Sequence, residues 1–280
     1  MNILNAIIQG IIQGLTEFLP VSSSGHLAVF QYFFGGTDDN GLLFDIVLHL
    51  GTLVATCIAF RKRIWALILE VGRIFRDIFT GKFFKVKMDG NRREIIMMII
   101  SLLVLIPFAP FKDFIEKAGN YPVLLGFLFI YTSIILFISD RCKKSNIDRE
   151  HIMPKHALII GAFQGVALLP GVSRSGSTIC SALFCGFKRN LAVEYSFILG
   201  IPTILASCIL EIAEYAQAFH AGTAEAIDVP SYVVGFIVSG VVGLLAIKMV
   251  NWVVNSNKFI IFSVYTFILG LVVIIAGLVR

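Results

Sequence analysis

The run FIIFSVYTFILGLVVIIAGLV, Phe259 to Val279, carries no charged residue over 21 positions. A helix of about 20 apolar residues crosses the hydrocarbon core of a bilayer. Lipid offers no partner to an unpaired backbone N–H or C=O, so a spanning chain must be helical or a closed barrel. Apolar runs also cover about 42–60, 94–111, 121–139, 190–212 and 231–250. They are continuous, whereas barrel strands alternate over short segments. With 57% hydrophobic and only 15% charged residues, the chain is too apolar for an ordinary soluble domain. The expectation is an all-α polytopic membrane protein: a single membrane domain over 1–280, with six transmembrane helices.

Charge between the runs gives each a direction. Arg61 to Arg93 holds ten Lys or Arg against Glu70, Asp77 and Asp89. Loops rich in Lys and Arg stay cytoplasmic, which also suits the basic segment Arg141 to Lys155, two crossings later. In the middle of 61–93, IWALILEVGRIFRDIF repeats apolar residues at helical spacing and predicts a helix lying in the membrane interface. GGTDDN (35–40) and Glu211 to Asp228 carry acids without Lys or Arg and are expected outside. The net charge of +5 thus sits in loops, where it sets topology and meets membrane lipids; no nucleic-acid partner is expected. The N-terminus lacks a charged n-region and a small-residue cleavage site, so the first segment is read as retained. The five cysteines show no CxxC spacing and read as small core residues.

Two further apolar segments, 3–34 and 157–187, are broken in the middle by Pro and Gly. Sidedness stays consistent only if each enters and leaves on one side, as a re-entrant helix–loop–helix hairpin. QGLTEFLPVSSSG (13–25) resembles QGVALLPGVSRSG (164–176), and FDIVLHLG (44–51) parallels VEYSFILG (193–200), setting Asp45 opposite Glu194. Each half, about 1–140 and 157–280, holds one hairpin and three crossings. The first hairpin starts outside and the second inside, so the repeat is inverted. Inverted repeats with broken helices put the working site at the repeat interface.

Non-helical backbone at membrane depth requires surrounding protein or a water-filled cavity. The two broken loops are therefore expected to face one another in a polar pocket. Pro20 and Pro170 end the incoming helices, and Gly25 and Gly176 allow close backbone approach. Loop amides and the following helix N-termini suit an anion, with Ser22, Ser24, Ser173, Ser175, Ser177 and Thr178 as further substrate-binding candidates. The aligned centres are Ser23 and Arg174. A guanidinium at membrane depth marks a functional candidate, and its fork matches phosphate oxygens. Gln13 and Glu17 lie one turn apart. Glu17 is open to three roles: divalent-metal ligand with Gln13, partner of Arg174, or orienter of His26. Ser23, His26 and Glu17 together supply a hydroxyl, a base and a carboxylate, the set for an activated nucleophile. Asp45, His49 and Glu194 are ranked as supporting residues behind that set.

QGLTEFLPVSSSGH and LPGVSRSGST resemble the two signature segments of the bacitracin-resistance type of undecaprenyl-diphosphate phosphatase. Gln13 to Glu17 matches the [E/Q]xxxE motif, and Pro170 to Thr178 matches PGxSRSxxT. The likeness of layout runs over nearly the whole chain. It implies a multi-pass enzyme of the bacterial inner (cytoplasmic) membrane that converts undecaprenyl diphosphate to undecaprenyl phosphate and phosphate. That reaction recycles the lipid carrier of cell-wall synthesis and confers bacitracin resistance. The resemblance also implies an active site facing the outer side, a divalent cation (Mg²⁺ or Ca²⁺), and Glu17, Ser23, His26 and Arg174 as the catalytic set. Gln13 in place of Glu weakens a two-carboxylate metal site. Serine nucleophile against activated water stays open, as does oligomeric state, a homodimer included. The rival class is a transporter or lipid flippase, since inverted repeats with broken helices are also the plan of secondary transporters.

Overall fold

The structure, a computed structural model, describes residues 2–34, 41–142, 146–220 and 228–279. In chain order the helices are α1 (Ile3–Phe18), α2 (Ser23–Phe34), α3 (Gly41–Ala59), α4 (Arg61–Phe79), α5 (Gly90–Leu103), α6 (Lys112–Ala118), α7 (Pro122–Ser139), α8 (Pro154–Val166), α9 (Arg174–Phe184), α10 (Arg189–His220), α11 (Val229–Asn255) and α12 (Phe259–Val279). Short 3₁₀ turns cover Ile106–Phe111 and Arg149–His151. No strand is formed among the described residues.

Five helical segments are long and apolar enough to cross a membrane: Gly90–Phe111, Pro122–Ser139, Arg189–Gln217, Val229–Asn255 and Phe259–Val279. The pair α3–α4 supplies a sixth if counted as one span, but it bends by 86° at Phe60. The chain is thus an all-helical, multi-pass membrane protein. Three details depart from the sequence reading. Pro170 does not end the helix before it: α8 stops at Val166, and turn bonds carry the chain through Leu169 to the proline. The helix expected over 190–212 runs on to His220, and the short α6 lies between the second and third expected crossings. The acidic segment 35–40, used above to assign sides, lies outside the described residues, as does 221–227.

Both broken segments form helix–turn–helix units. Leu19 takes extended angles (φ −62°, ψ 142°) directly before Pro20, as a residue preceding proline must when its ring excludes the α region. Ser22 follows in the left-handed region at φ 76°, and α2 begins at Ser23. In the second unit Gly171 takes φ +91°, which costs glycine little because it has no Cβ. Ser173 then caps α9, its hydroxyl accepting from the amide of Gly176 at 3.0 Å.

Small residues bring the long helices together. α7 packs on α12 where Gly126 and Gly270 face each other; a Cβ on either would come within about 2.7 Å of the other's carbonyl oxygen. Such close approach is how helices associate without a hydrophobic drive between them. α1 packs on α11, and α8 on α5. Some hydroxyls bond from helix to helix: Ser133 and Ser263 meet across α7 and α12 at 3.1 Å, and Ser101 meets Tyr195 at 3.0 Å.

Candidate active site

The turn between α1 and α2 and the turn between α8 and α9 lie side by side, stitched by three kinds of bond. The hydroxyl of Ser22 accepts from the amide of Gly171 at 3.1 Å and from that of Gly25 at 3.3 Å. Ser175 donates to the carbonyl of Leu19 at 3.2 Å. Arg174 Nη2 donates to Glu17 Oε1 at 2.5 Å. Thr132 of α7 braces the second turn, donating to Gly171 O and accepting from Ser173 N. Gly25 permits the contact, since a Cβ there would fall 2.9 Å from Gly171 Cα.

Between the turns is a cavity of about 40 Å³ lined by Glu17, Ser22, Ser23, Ser24, Ser173, Arg174 and Ser175, among others. Glu17 is its hub. Its Oε2 accepts from Ser23 Oγ at 2.8 Å and from Gln13 Nε2 at 3.1 Å, while Oε1 holds Arg174. His49 Nε2 lies 3.9 Å from the same carboxylate. The guanidinium fits because residue 200 is glycine: a Cβ there would stand 2.0 Å from Arg174 Nη1. A hydroxyl, a carboxylate able to take its proton, and a bidentate cation therefore share one small polar space. These are the components for attack on a phosphorus centre with the charge neutralised by the protein.

His26 and Ser23 take different hydrogen-bond partners in this structure. Its Nδ1 donates to the carbonyl of Ser22 at 2.7 Å, and its Nε2 accepts from Tyr265 Oη at 2.7 Å. The ring stacks on Tyr265 and meets Phe129 edge-on. The helical i, i−4 bond turns the imidazole back on its own N-terminus, and the Ser23 hydroxyl goes to Glu17 instead.

The remaining candidates divide. Asp45 and His49 border a larger cleft of about 440 Å³ that also takes in Ser24 and Pro170, so the two cavities adjoin. His49 Nδ1 donates to the carbonyl of Asp45 at 2.8 Å, which aims Nε2 toward Glu17. Ser177 and Thr178 do not line the small cavity. Thr178 donates to Arg174 O at 2.9 Å and meets Ser196 at 2.5 Å, and Ser177 is buried within the core. One turn into α9, the helix has carried both away from the break. Gly176 acts through its capped amide. Glu194 lies elsewhere, paired with Arg63 and Arg149 beside the buried Glu94. The parallel to Asp45 places it on the equivalent helix, but basic neighbours from α4 and the 149–151 turn claim its carboxylate.

Tyr265, Gly200 and Thr132 were invisible to motif reading. Each sits inside an apolar run, where one hydroxyl or glycine carries no signal. A cation has partial provision. Gln13 is fully buried, and its Oε1 is the one oxygen of the Gln13–Glu17 pair without a partner. Among the described residues no group of three or more His, Cys, Asp or Glu stands ready to hold a metal. The donor set therefore fits a hard ion completed by ligand oxygens, and does not fit an all-protein cage.

Paired helix breaks meet inside a multi-pass bundle, with a carboxylate, a hydroxyl and a guanidinium converging between them, which is the class of a helical membrane protein with a polar site at its centre. The chain matches the family described as bacitracin resistance protein BacA over residues 6–272 and belongs to it. It is 37% identical to the undecaprenyl-diphosphatase of Desulforapulum autotrophicum, covering 100% of both chains. It is 38% identical to that of Carboxydothermus hydrogenoformans, covering 98% of this chain and 97% of the relative. It is 38% identical to that of Bacteroides fragilis, covering 99% of both.

Proposed function

We propose that the chain hydrolyses undecaprenyl diphosphate to undecaprenyl phosphate and inorganic phosphate. Full-length membership of the family supports this reading, and one observation carries the assignment of the site: Ser23 and Arg174, from two separate helix breaks, both bond to the carboxylate of Glu17. The protein is read as an inner-membrane enzyme with six crossings, two re-entrant hairpins and an inverted repeat. The cross-packing supports the repeat: α1 of the first hairpin lies on α11 of the second half, and its counterpart α8 lies on α5 of the first. The acidic loops favour a site open to the outer side, with the polyprenyl tail lying between helices.

Before substrate arrives, Arg174 neutralises Glu17. The terminal phosphate competes for the guanidinium fork, and Glu17 Oε2, which already accepts from Ser23 Oγ, takes the serine proton. Ser23 Oγ then attacks the terminal phosphorus. The bond to the bridging oxygen breaks, and its electron pair leaves on undecaprenyl phosphate. Once the first proton has passed to solvent, Glu17 accepts one from water, which attacks the phosphoserine, frees phosphate and restores the Ser23 hydroxyl. Arg174 and the loop amides hold the equatorial oxygens throughout. A divalent cation held by Glu17 and Gln13 Oε1 would neutralise charge on the diphosphate. His26, locked by Ser22 O and Tyr265, positions the start of α2.

Phosphate release by the purified protein on undecaprenyl diphosphate tests the proposal, run beside a lipid-translocation assay on the same preparation. Release at enzymatic rates is expected. Translocation with no release under any metal condition would leave the transporter class as the better account.

A further inference from the structure

At Phe60 the chain turns through 86° from α3 into α4, so α4 lies across the direction of the crossings. At roughly 100° per residue, Trp65, Ile68, Gly72, Phe75 and Phe79 fall within about 80° of arc on α4. This stripe faces outward: Trp65 is 62% exposed and Phe79 85%, and just beyond the helix Phe84 is 96% exposed. The next arc carries Lys62, Arg73 and Arg76, all exposed. The acids occupy the opposite side. Glu70 and Asp77 are buried and held by Arg92, at 3.0 and 2.6 Å. Arg73 and Arg76 lie 3.3 and 3.4 Å from those same carboxylates. Lys62, Lys82, Lys85 and Lys87 are exposed and form no ion pair among the described residues.

We infer that α4 and the segment through Lys87 form a docking surface for anionic phospholipid, with the aromatic stripe in the acyl boundary and the basic edge at the headgroups. The segment 61–93 holds ten basic residues and three acids, an excess of seven positive charges. Because two of the three acids are turned inward, the outer face presents almost pure positive charge beside an apolar stripe. A helix with that division lies in the membrane interface, and each basic residue near an anionic surface adds about 1 kcal/mol of attraction. A second copy of the chain would bring a like-charged face against it, so lipid is the complementary occupant. The inference stands apart from the phosphatase reading, and its test does not use activity.

The W252F protein, which leaves Trp65 as the only tryptophan, is placed in nanodiscs mixing phosphatidylglycerol and phosphatidylcholine, with either lipid brominated on its acyl chains. Trp65 should be quenched by both, with a roughly fivefold or greater preference for the brominated phosphatidylglycerol at low salt. In K62Q/K82Q/K85Q/K87Q the preference should fall toward onefold while quenching by phosphatidylcholine persists. At about 1 M salt, where charges are screened within about 3 Å, the unsubstituted protein should behave likewise, a check that needs no variant to fold. Equal quenching by both lipids at low salt would overturn the headgroup assignment. Absence of quenching by either would show that protein covers the stripe and would overturn the inference altogether.

Discussion

The carboxylate of Glu17 and the guanidinium of Arg174 are 157 positions apart in the chain and 2.5 Å apart in the fold. Each belongs to a different helix break, so neither hairpin alone has a site. The pair explains how two costly charges are kept in an apolar bundle: each neutralises the other, and in the proposed reaction the substrate's phosphate takes over the cation.

Arg174→Lys keeps the charge and removes the fork. A lysine ammonium is a point donor that cannot present two parallel N–H groups to a phosphate. Phosphate release should fall by roughly 10²-fold, and Arg174→Ala should lose a further factor of about ten or more. Initial rates of both, with circular dichroism confirming helical content, check this. An unchanged rate in the lysine variant would remove the need for planar recognition.

Gly200→Ala tests positioning without touching the reacting groups. The added methyl would meet Arg174 Nη1 at 2.0 Å, and the flexible arginine end would move rather than the backbone. Alanine suits a helix better than glycine. Thermal stability should therefore hold while activity drops roughly 10²-fold, the usual scale for a displacement of about 1 Å.

Tyr265→Phe removes the hydroxyl that His26 Nε2 accepts at 2.7 Å but keeps the stacked ring. The loss of one hydrogen bond of about 0.5–1.5 kcal/mol predicts a two- to tenfold lower turnover. A fall equal to that of His26→Ala would mean that the histidine acts wholly through its bond to the tyrosine hydroxyl.

Adjacent serines should separate cleanly. Ser22→Ala strips the amides of Gly171 and Gly25 of their shared acceptor, and unsatisfied buried groups cost about 1–3 kcal/mol each. Its melting temperature should drop along with its activity. Ser23→Ala removes only a hydroxyl held by Glu17, so stability should stay and turnover should fall at least ~10³-fold. Substantial retained rate in Ser23→Ala would make water the attacking group.

Chelation probes the oxygen donors. Because Gln13 Oε1 and Glu17 supply too few ligands for a cage, a cation should bind weakly without substrate. EDTA should abolish turnover, and added Mg²⁺ or Ca²⁺ should restore it. Gln13→Ala should raise the metal concentration needed for half-maximal rate by roughly tenfold, in line with the loss of one ligand contact. EDTA-insensitive turnover would dismiss the cation.

Much of the fold is legible in the sequence, because bilayer physics leaves so few choices. Long apolar runs form helices near their expected limits, and α1 stops just before Pro20, whereas α8 ends at Val166, four residues ahead of Pro170. The meeting of Ser23 with Arg174's loop was readable from the internal likeness of the two segments. Side-chain direction was not. Spacing put His26 one turn from Ser23, yet the histidine ring bonds backward to Ser22 O and the serine turns to Glu17. Glu194 occupies the position that parallels Asp45, but local basic residues pull it into a separate ionic cluster. Tyr265 and Gly200 act across helix–helix contacts that a one-dimensional pattern does not record.

Glu17 carries the central claim, since it alone touches the hydroxyl, the guanidinium and the amide. The most direct measurement is phosphate release from undecaprenyl diphosphate by wild-type protein and by Glu17→Gln, which keeps the shape and hydrogen-bonding reach but cannot take the Ser23 proton. The account predicts stoichiometric release by the wild type and a loss of about 10³-fold or more in a variant that stays folded. A Glu17→Gln protein that turns over at near wild-type rate would contradict it.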